Sequence, residues 1–596
     1  MSRLTVRVSL AAALAVGAAL AWPALGQGGP ESLLPPGFGS APEPTAAPAP
    51  VAPATAPAAA PAAAPGAIGA APEAGALPDG ATPPTEAEVY KLPPPVSRPI
   101  NTVGPLTPGH TGLAETAFDG ADGRYLVGLM RRIDSRLASR WGTIVLRRAL
   151  ASRVPAAASV RPADWVAERA LLLTRLGDVH AARMLVQAVP VDRYTPRLYA
   201  AAAQVALASA DIEAFCPIAD TGDALSDEPV WLLARGICAG LAGDSGLAAD
   251  LIDRARDKKL ANNIDLLLAE RVAALGSGGQ RAVNVEWAEA NRLTAYRYGL
   301  ATAGGLDIPD ALMATAGQPV RAWQAAAPQL LLEKRIDAAR TAAVLGIASS
   351  ADLVDLLSAQ AEETDPFAVS DTPAGHLRQA YIAEDMTERL TALRTLWTGA
   401  TPDSLDYSGL ILTARAAARI RPDGALADDA PMLIAAMLAA GLDKAAARWS
   451  GVVADMDDDE GDLAWALLAA GTPSGAVKIE RSRVAGWSGG DDDPHRKQLL
   501  VAGLAGLGRL SRDAAAGLWD DSDGPFDASN RYLERIDRAA AANRVGEVAL
   551  LAALGLQSGS WAGVPPLHLY HIVAALRRVG LEPEARMIVA EAITRA

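Results

Sequence analysis

The sequence predicts an all-α protein, an α-solenoid built as a superhelix of antiparallel helix pairs and preceded by a disordered segment rich in alanine and proline. From about residue 113 onward, apolar residues recur at spacings of three and four, with almost no period-two alternation of β-branched residues. Small turn residues return at a fixed interval of 33 residues. Residues 27–112 hold 21 of the 42 prolines, so the character of the chain changes near residue 113.

The first 26 residues have the organisation of a secretory signal peptide. Arg3 and Arg7 make the start basic, an apolar stretch covers residues 8–22, and small residues precede the expected cleavage point. The stretch is shorter than the roughly 20 apolar residues that span a bilayer. We therefore expect residues 1–26 to be removed and the protein to reach a bacterial periplasm. The alternative is an uncleaved anchor in the inner membrane.

Residues 27–112 are predicted to be a disordered linker. Proline removes a backbone donor and fixes φ, and alanine buries too little surface to offset the entropy lost on ordering. The segment would act as a spacer or tether. Its mixture of alanine, threonine and proline resembles antifreeze glycopeptides without repeating their Ala-Ala-Thr unit. An ice-binding or purely structural spacer is therefore a minor alternative.

Beyond residue 112, a repeat is visible in the spacing of small residues. Turn positions follow one another at intervals of 33, at Gly177, Ala210, Gly243 and Gly276. Seven positions before each turn stands another small residue, namely Ala170, Ala203, Gly236 and Ala269. Antiparallel helices approach closely only where side chains are small, and glycine readily ends a helix. A period of 33–34 residues with this pattern is typical of stacked helix–turn–helix repeats.

Within this pattern, residues 232–244, followed by Ala248 and Leu251, resemble the tetratricopeptide repeat (TPR). The resemblance is clearest over 162–295 and 430–596. In the second stretch the turn glycines are Gly441, Gly471, Gly508 and Gly580. The resemblance implies a TPR-like superhelix whose repeats mainly contact their neighbours and whose concave face binds extended peptides or protein partners. It implies no catalysis.

Charge and cysteine content exclude several classes of protein. The net charge is −14 and the isoelectric point about 5.1, which argues against a nucleic-acid binder. Two cysteines are too few for a zinc ribbon, an iron–sulfur site or a disulfide-dense miniprotein. After the signal, no stretch reaches 18 apolar residues without a charge. The sequence therefore predicts no cofactor, no metal and no transmembrane span in the processed protein.

Cys216 and Cys238 are predicted to form a disulfide. An exported protein meets an oxidising compartment, and the number of cysteines is even. Cys216 lies near the predicted start of the second helix of its repeat, and Cys238 near the end of the next repeat's first helix. Consecutive antiparallel helices place these two ends side by side. The alternative is two buried free thiols.

One string resembles the active site of a serine hydrolase. Residues 486–490 match Gly-x-Ser-x-Gly, the nucleophile elbow, with Ser488 as the nucleophile. An elbow needs a strand before the serine and a helix directly after it. Residues 477–484 instead predict a helix, and the acidic residues 491–493 would repel an oxyanion. The sequence therefore predicts no catalytic residue and no enzyme.

Other chemical patterns are incomplete. His568 and His571 stand three residues apart on a predicted helix, but a third metal ligand is missing nearby. The acidic run 455–462 lacks the glycine and glutamate of an EF-hand and is interpreted as a solvated helix start. The glycine-rich residues 503–508 follow no strand and precede no lysine, so they indicate close helix packing instead of phosphate binding.

These observations together predict an exported scaffold or adaptor that binds protein or peptide partners in the cell envelope. The alternative is an envelope hydrolase related to the cell wall, or an accessory subunit of one.

Overall fold

We describe the fold from a computed structural model, which covers residues 99–277, 284–401, 404–489, 494–519 and 528–596. The predicted signal peptide and the predicted linker as far as residue 98 lie outside the described residues. From Ile100 onward, the described residues belong to one compact unit.

The prediction of an all-α fold is confirmed. Within the described residues, β structure is limited to two short antiparallel strands and isolated bridges, the strands being β1 (Thr102–Val103) and β2 (Val154–Pro155). The helices are α1 (Gly123–Arg132), α2 (Arg140–Ala151), α3 (Pro162–Leu176), α4 (Val179–Gln187), α5 (Pro196–Ala208), α6 (Ala219–Leu225), α7 (Pro229–Leu241), α8 (Ser245–Asp257), α9 (Asn263–Ala273), α10 (Ala295–Ala303), α11 (Asp310–Met313), α12 (Gln318–Ala326), α13 (Leu332–Val344), α14 (Ser350–Glu363), α15 (Pro373–Ile382), α16 (Met386–Trp397), α17 (Tyr407–Ala417), α18 (Ala430–Ala439), α19 (Asp443–Ala447), α20 (Ser450–Ala454), α21 (Asp459–Gly471), α22 (Arg481–Gly486), α23 (Pro494–Gly506), α24 (Arg512–Ala516), α25 (Arg531–Ala541), α26 (Val545–Gly555), α27 (Pro566–Arg578) and α28 (Glu582–Arg595).

The 33-residue spacing corresponds to tight turns between paired helices. Gly177, Ala210 and Gly243 adopt left-handed backbone conformations, with φ of +104°, +52° and +90°. A left-handed residue directly after a helix reverses the chain and lets its last carbonyls accept hydrogen bonds. Gly276 differs because it lies in a 3-10 helix, where an added Cβ would stand 2.2 Å from the carbonyl oxygen of Gly240. There the glycine permits a close approach instead of a left-handed turn.

The small residues seven positions before each turn lie at helix contacts. Ala170, Ala203 and Ala269 are buried. A Cβ added to Gly236 would stand 3.1 Å from a side-chain carbon of Ile252 on α8. First helices of successive pairs also stack, since α3 packs against α5 and α7 against α9. Small residues therefore lie where helices contact each other, as the sequence predicts.

The packed chain begins ahead of the expected boundary at residue 113. β1 pairs with β2, and Leu106 accepts a backbone hydrogen bond from Arg153 at 2.7 Å. Arg169 on α3 is buried and donates to the carbonyls of Leu150, Ser152 and Val103 at 2.6, 2.6 and 2.9 Å. Burial lowers the pKa of Arg169 to about 9. This guanidinium ties the N-terminal strand to the end of α2, which explains why the proline-containing approach is ordered there.

Helix α2 has more distant partners than a simple solenoid provides, in which each repeat contacts mainly its neighbours. Besides α3 it contacts α26 and α28 near the C-terminus. Arg140, at the start of α2, donates to the carbonyl of Ala343 at 2.8 Å and to that of Ala439 at 2.9 Å. Four separate parts of the chain therefore meet around α2.

The helix predicted over 477–484 is wrong in its bounds. The chain leaves α21 at Gly471 and becomes helical again at Arg481, in the six-residue α22. Gly475 interrupts the interval with a left-handed φ of +91°. Pro473 and this glycine end the helical path after α21. Further along, the carbonyl of Lys478 accepts from Trp465 Nε1 at 3.0 Å, a partner outside any local helix.

Candidate functional site

An apolar groove opens between α4, α5 and the segment that follows α5. It encloses about 240 Å³. Its walls are made of aliphatic side chains, a proline and a tyrosine, so an occupant would be held by burial of apolar surface. The apolar lining residues are Val186, Val189, Val191, Tyr194, Ala202, Val205, Ala206, Ala214, Pro217 and Ile218.

Three polar side chains of the groove have partners within it. Arg183 on α4 forms an ion pair with Asp211, beyond the end of α5, at 2.6 Å. The Tyr194 hydroxyl donates to the carbonyl of Val186 at 3.2 Å. Burial, assisted by the nearby ring of Tyr199, raises the pKa of Tyr194 to about 12. The phenol therefore stays protonated at neutral pH, and these groups shape the groove without offering a base.

The predicted disulfide is present and braces one wall of this groove. Cys216 and Cys238 are bonded, with their Cα atoms 5.5 Å apart. Cys216 directly precedes Pro217 and Ile218, which line the groove, whereas Cys238 lies on α7. The bond therefore fastens the segment after α5 to α7. The bond was predicted from the sequence, whereas its position beside the groove was not.

The surroundings of Cys216 differ from the expectation of a second helix. Residues Ile212–Phe215 form a 3-10 helix, and α6 begins only at Ala219. Pro217 interrupts the interval because its ring removes a backbone donor. Phe215 secures the segment in another way, since its ring packs edge-on against Trp231 of α7 with centroids 6.1 Å apart.

Ser488 does not stand at a nucleophile elbow. The helix α22 precedes it where an elbow requires a strand. Trp487 beside it is buried, and the ring nitrogen Nε2 of His495 lies 3.1 Å from the carbonyl oxygen of Trp561. The local backbone therefore lacks the strand–turn–helix arrangement that exposes a catalytic serine.

The two histidines of α27 contact groups on α25. His571 Nδ1 lies 2.9 Å from an Asp537 oxygen, and the His568 ring packs at a tilt of 44° against Tyr532 with centroids 4.7 Å apart. Burial, followed by repulsion from His571, lowers the pKa of His568. The described residues contain no group of three or more histidine, cysteine, aspartate or glutamate side chains placed to hold a metal. The two histidines therefore take part in the contact between α25 and α27.

The acidic run and the glycine-rich string have the structural roles expected of them. Asp458 caps α21 by accepting from the N–H of Gly461 at 2.7 Å, and acidic residues fill the first turn. Carboxylates there favour the positive end of the helix dipole. On α23, a Cβ added to Gly503 would stand 2.2 Å from a methyl group of Val589. This glycine is required by close helix packing.

A buried carboxylate that the sequence analysis missed joins the two ends of the described chain. Glu591 of α28 accepts from Ser139 Oγ at 2.7 Å, from the N–H of Arg140 at 2.8 Å and from that of Trp141 at 3.2 Å. Arg595 also donates to it. The signal for it was a glutamate within an otherwise buried apolar stretch of α28.

This carboxylate acts as a helix cap and not as a chemical base. Both oxygens of Glu591 accept hydrogen bonds, and the negative charge lies at the N-terminus of α2, where the helix dipole favours it. Nearby, burial and then the charge of Glu591 raise the pKa of Tyr407. The phenol is therefore neutral, and neither group is placed for proton transfer to a ligand.

No protein-family model, no curated protein and no solved structure matches this chain. In the part of the chain that the structure describes, none of the helices is long and apolar enough to cross a bilayer.

Proposed function

We propose that the protein is an exported scaffold or adaptor that binds a protein or peptide partner through the groove between α4 and α5. The observation that carries this proposal is an open apolar groove whose wall is fixed by a disulfide. Apolar surface that stays open in a folded protein is a common feature of binding sites.

The chemistry of the groove favours one class of partner. Val191, which lines it, is 38% exposed, so apolar surface is available without unfolding. The rim charges of Arg183 and Asp211 neutralise each other. A segment that inserts uncharged apolar side chains would fit, in the way that TPR-like repeats accept peptides by analogy.

Export is the second part of the proposal. A disulfide persists in an oxidising compartment and is rare in the cytosol. The N-terminal pattern of basic residues, apolar stretch and small residues supports the same location, with a TPR-like superhelix working in the envelope.

A site-specific crosslinking experiment tests the binding surface. A benzophenone amino acid replaces the exposed Gln187 of the groove, and cells expressing the full chain are irradiated. We expect a discrete adduct that is lost when Val191→Asp places a charge in the apolar wall.

A matched variant distinguishes the groove from general surface effects. Ile382→Asp makes the same type of change at a side chain that is 61% exposed and lies on α15, outside the groove. The adduct should persist in this variant. Equal loss in both variants, or an adduct insensitive to Val191→Asp, would contradict the proposal.

A further inference from the structure

The disulfide beside the groove lies where a thiol can reach it. Cys216 is exposed, whereas Cys238 is half-buried on α7. Thiol–disulfide exchange begins when a thiolate attacks a disulfide sulfur to which it has access. A thiolate therefore approaches this bond from the side of Cys216. The sequence contains no other cysteine, so a reductant acts on this bond and on no other disulfide of the chain.

The segment between α5 and α6 is attached to α7 through side chains, and its backbone hydrogen bonds are local. The N–H groups of Ala214, Cys216 and Ile218 donate at 3.2, 3.0 and 2.9 Å to carbonyls three positions earlier. These bonds shape the segment without joining it to a neighbouring helix. The disulfide and the edge-on packing of Phe215 against Trp231 connect it to α7.

Loss of the disulfide removes the covalent attachment of one wall of the groove. Pro217 and Ile218 line the groove and directly follow Cys216. The disulfide closes a loop that spans 22 residues, and closing a loop of this length restricts its opened states about 100-fold. Without the bond, only noncovalent packing keeps the wall in place. A groove with an open wall buries less apolar surface of an occupant and binds it more weakly.

We propose that this disulfide is a redox switch for the groove. In the oxidised protein the wall is closed and the groove accepts an apolar segment. Reduction makes the opened wall the major state and lowers the affinity for that segment. The inference rests on the proposed function, because it concerns the regulation of the same groove.

The reductant that operates the switch is a dithiol. Its thiolate forms a mixed disulfide with Cys216 and displaces Cys238 as a thiolate, which takes up a proton. The second thiol of the reductant then attacks the mixed disulfide, so that Cys216 is released and also takes up a proton. Two electrons and two protons thus pass to the cysteine pair, and the dithiol becomes a disulfide.

Amide hydrogen exchange of the purified protein, read by mass spectrometry with and without dithiothreitol, measures opening of the wall. We expect exchange over residues 212–218 to become at least about tenfold faster on reduction and to approach that of an unfolded chain. Strong protection that remains after reduction would overturn the proposal. Residues 437–442, whose turn is held by backbone hydrogen bonds outside the groove, are the internal control and should not change. Equal acceleration there would indicate general destabilisation and would also contradict a local switch.

A double variant separates loss of the bond from other effects of the reductant. Cys216→Ser together with Cys238→Ser removes the disulfide without any reductant. We expect this variant to show the fast exchange of the reduced protein and no further change when dithiothreitol is added. Exchange as slow as in the oxidised wild type would refute the assignment to this bond.

Crosslinking from the groove tests the effect on binding. With the benzophenone amino acid at position 187, the adduct per amount of protein should fall about tenfold in the double-serine variant, since the open state then predominates. An unchanged yield would overturn the switch. Absence of an adduct in the oxidised wild type would instead contradict the proposed function, and the exchange measurement would still decide whether the disulfide controls the wall.

Discussion

Replacement of Glu591 by alanine should destabilise the fold more than loss of an ordinary surface ion pair. The substitution removes the acceptor of Ser139 Oγ and of two backbone N–H groups at the start of α2. It also leaves Arg595 without this carboxylate. Each buried donor left without a partner costs about 1–3 kcal/mol, and removing one member of a buried ion pair costs about 3–5 kcal/mol. Because these terms overlap, we expect a loss of about 3–5 kcal/mol in the free energy of unfolding.

Equilibrium urea unfolding, followed by tryptophan fluorescence and far-ultraviolet circular dichroism, measures this loss. Glu362→Ala is the control, since Glu362 stands exposed on α14 and should change stability by less than about 0.5 kcal/mol. Glu591→Gln retains one acceptor oxygen but turns an N–H₂ group toward donors, so its loss should approach that of alanine. A loss below about 1 kcal/mol in Glu591→Ala would refute the capping role and the importance of the α2–α28 contact.

Three further predictions concern the disulfide, a turn and a histidine. Replacing Cys216 and Cys238 together by serine should lower the free energy of unfolding by about 3 kcal/mol, because the closed loop spans 22 residues. Mass spectrometry of the unreduced wild type should show no alkylatable thiol, and two labelled thiols would contradict the bond. Ala210→Gly should raise the free energy of unfolding by about 0.5 kcal/mol, since relief of left-handed strain exceeds the added entropy of the unfolded chain. Ala206→Gly inside α5 should lower it by about 1 kcal/mol in the same urea assay. Changes of the same sign in both variants would be inconsistent with this reasoning. Burial lowers the pKa of His568, so the unfolded state binds the proton more readily, and the free energy of unfolding should fall as pH drops below about 6.5. A pH series of melting temperatures should show a shallower fall in His568→Gln. An unchanged slope in this variant would refute the assignment to His568.

The parts of the fold that depend on local rules could be predicted from the sequence. Gly177 and Gly243 were predicted as turns because glycine tolerates left-handed φ, and both adopt it. Ala170 was predicted at a helix crossing because it is small, and it is buried. The helix predicted at 477–484 begins only at Arg481, because the carbonyl of Lys478 accepts from the distant Trp465 ring, a contact that local apolar spacing does not indicate.

The parts that depend on contacts between distant residues could not be predicted in this way. Nothing in the local pattern around Arg140 indicates that its guanidinium reaches Ala343 and Ala439. The groove could not be predicted from the sequence either. Its wall includes Pro217, and the helix expected around this proline begins only at Ala219. Glu591 was detectable only as a polar residue at a position whose neighbours are apolar.

The partners of α2 also set an order of events during synthesis. The residues that contact Arg140 through Ala343, Ala439 and Glu591 lie 203, 299 and 451 positions further along the chain. At about 5–20 residues per second, the last of them leaves the ribosome roughly 20–90 s after Arg140. The N-terminal helices therefore cannot reach their final packing while the chain is incomplete. The arrival of the last helix, α28, is therefore the event that completes the packing of the first ones.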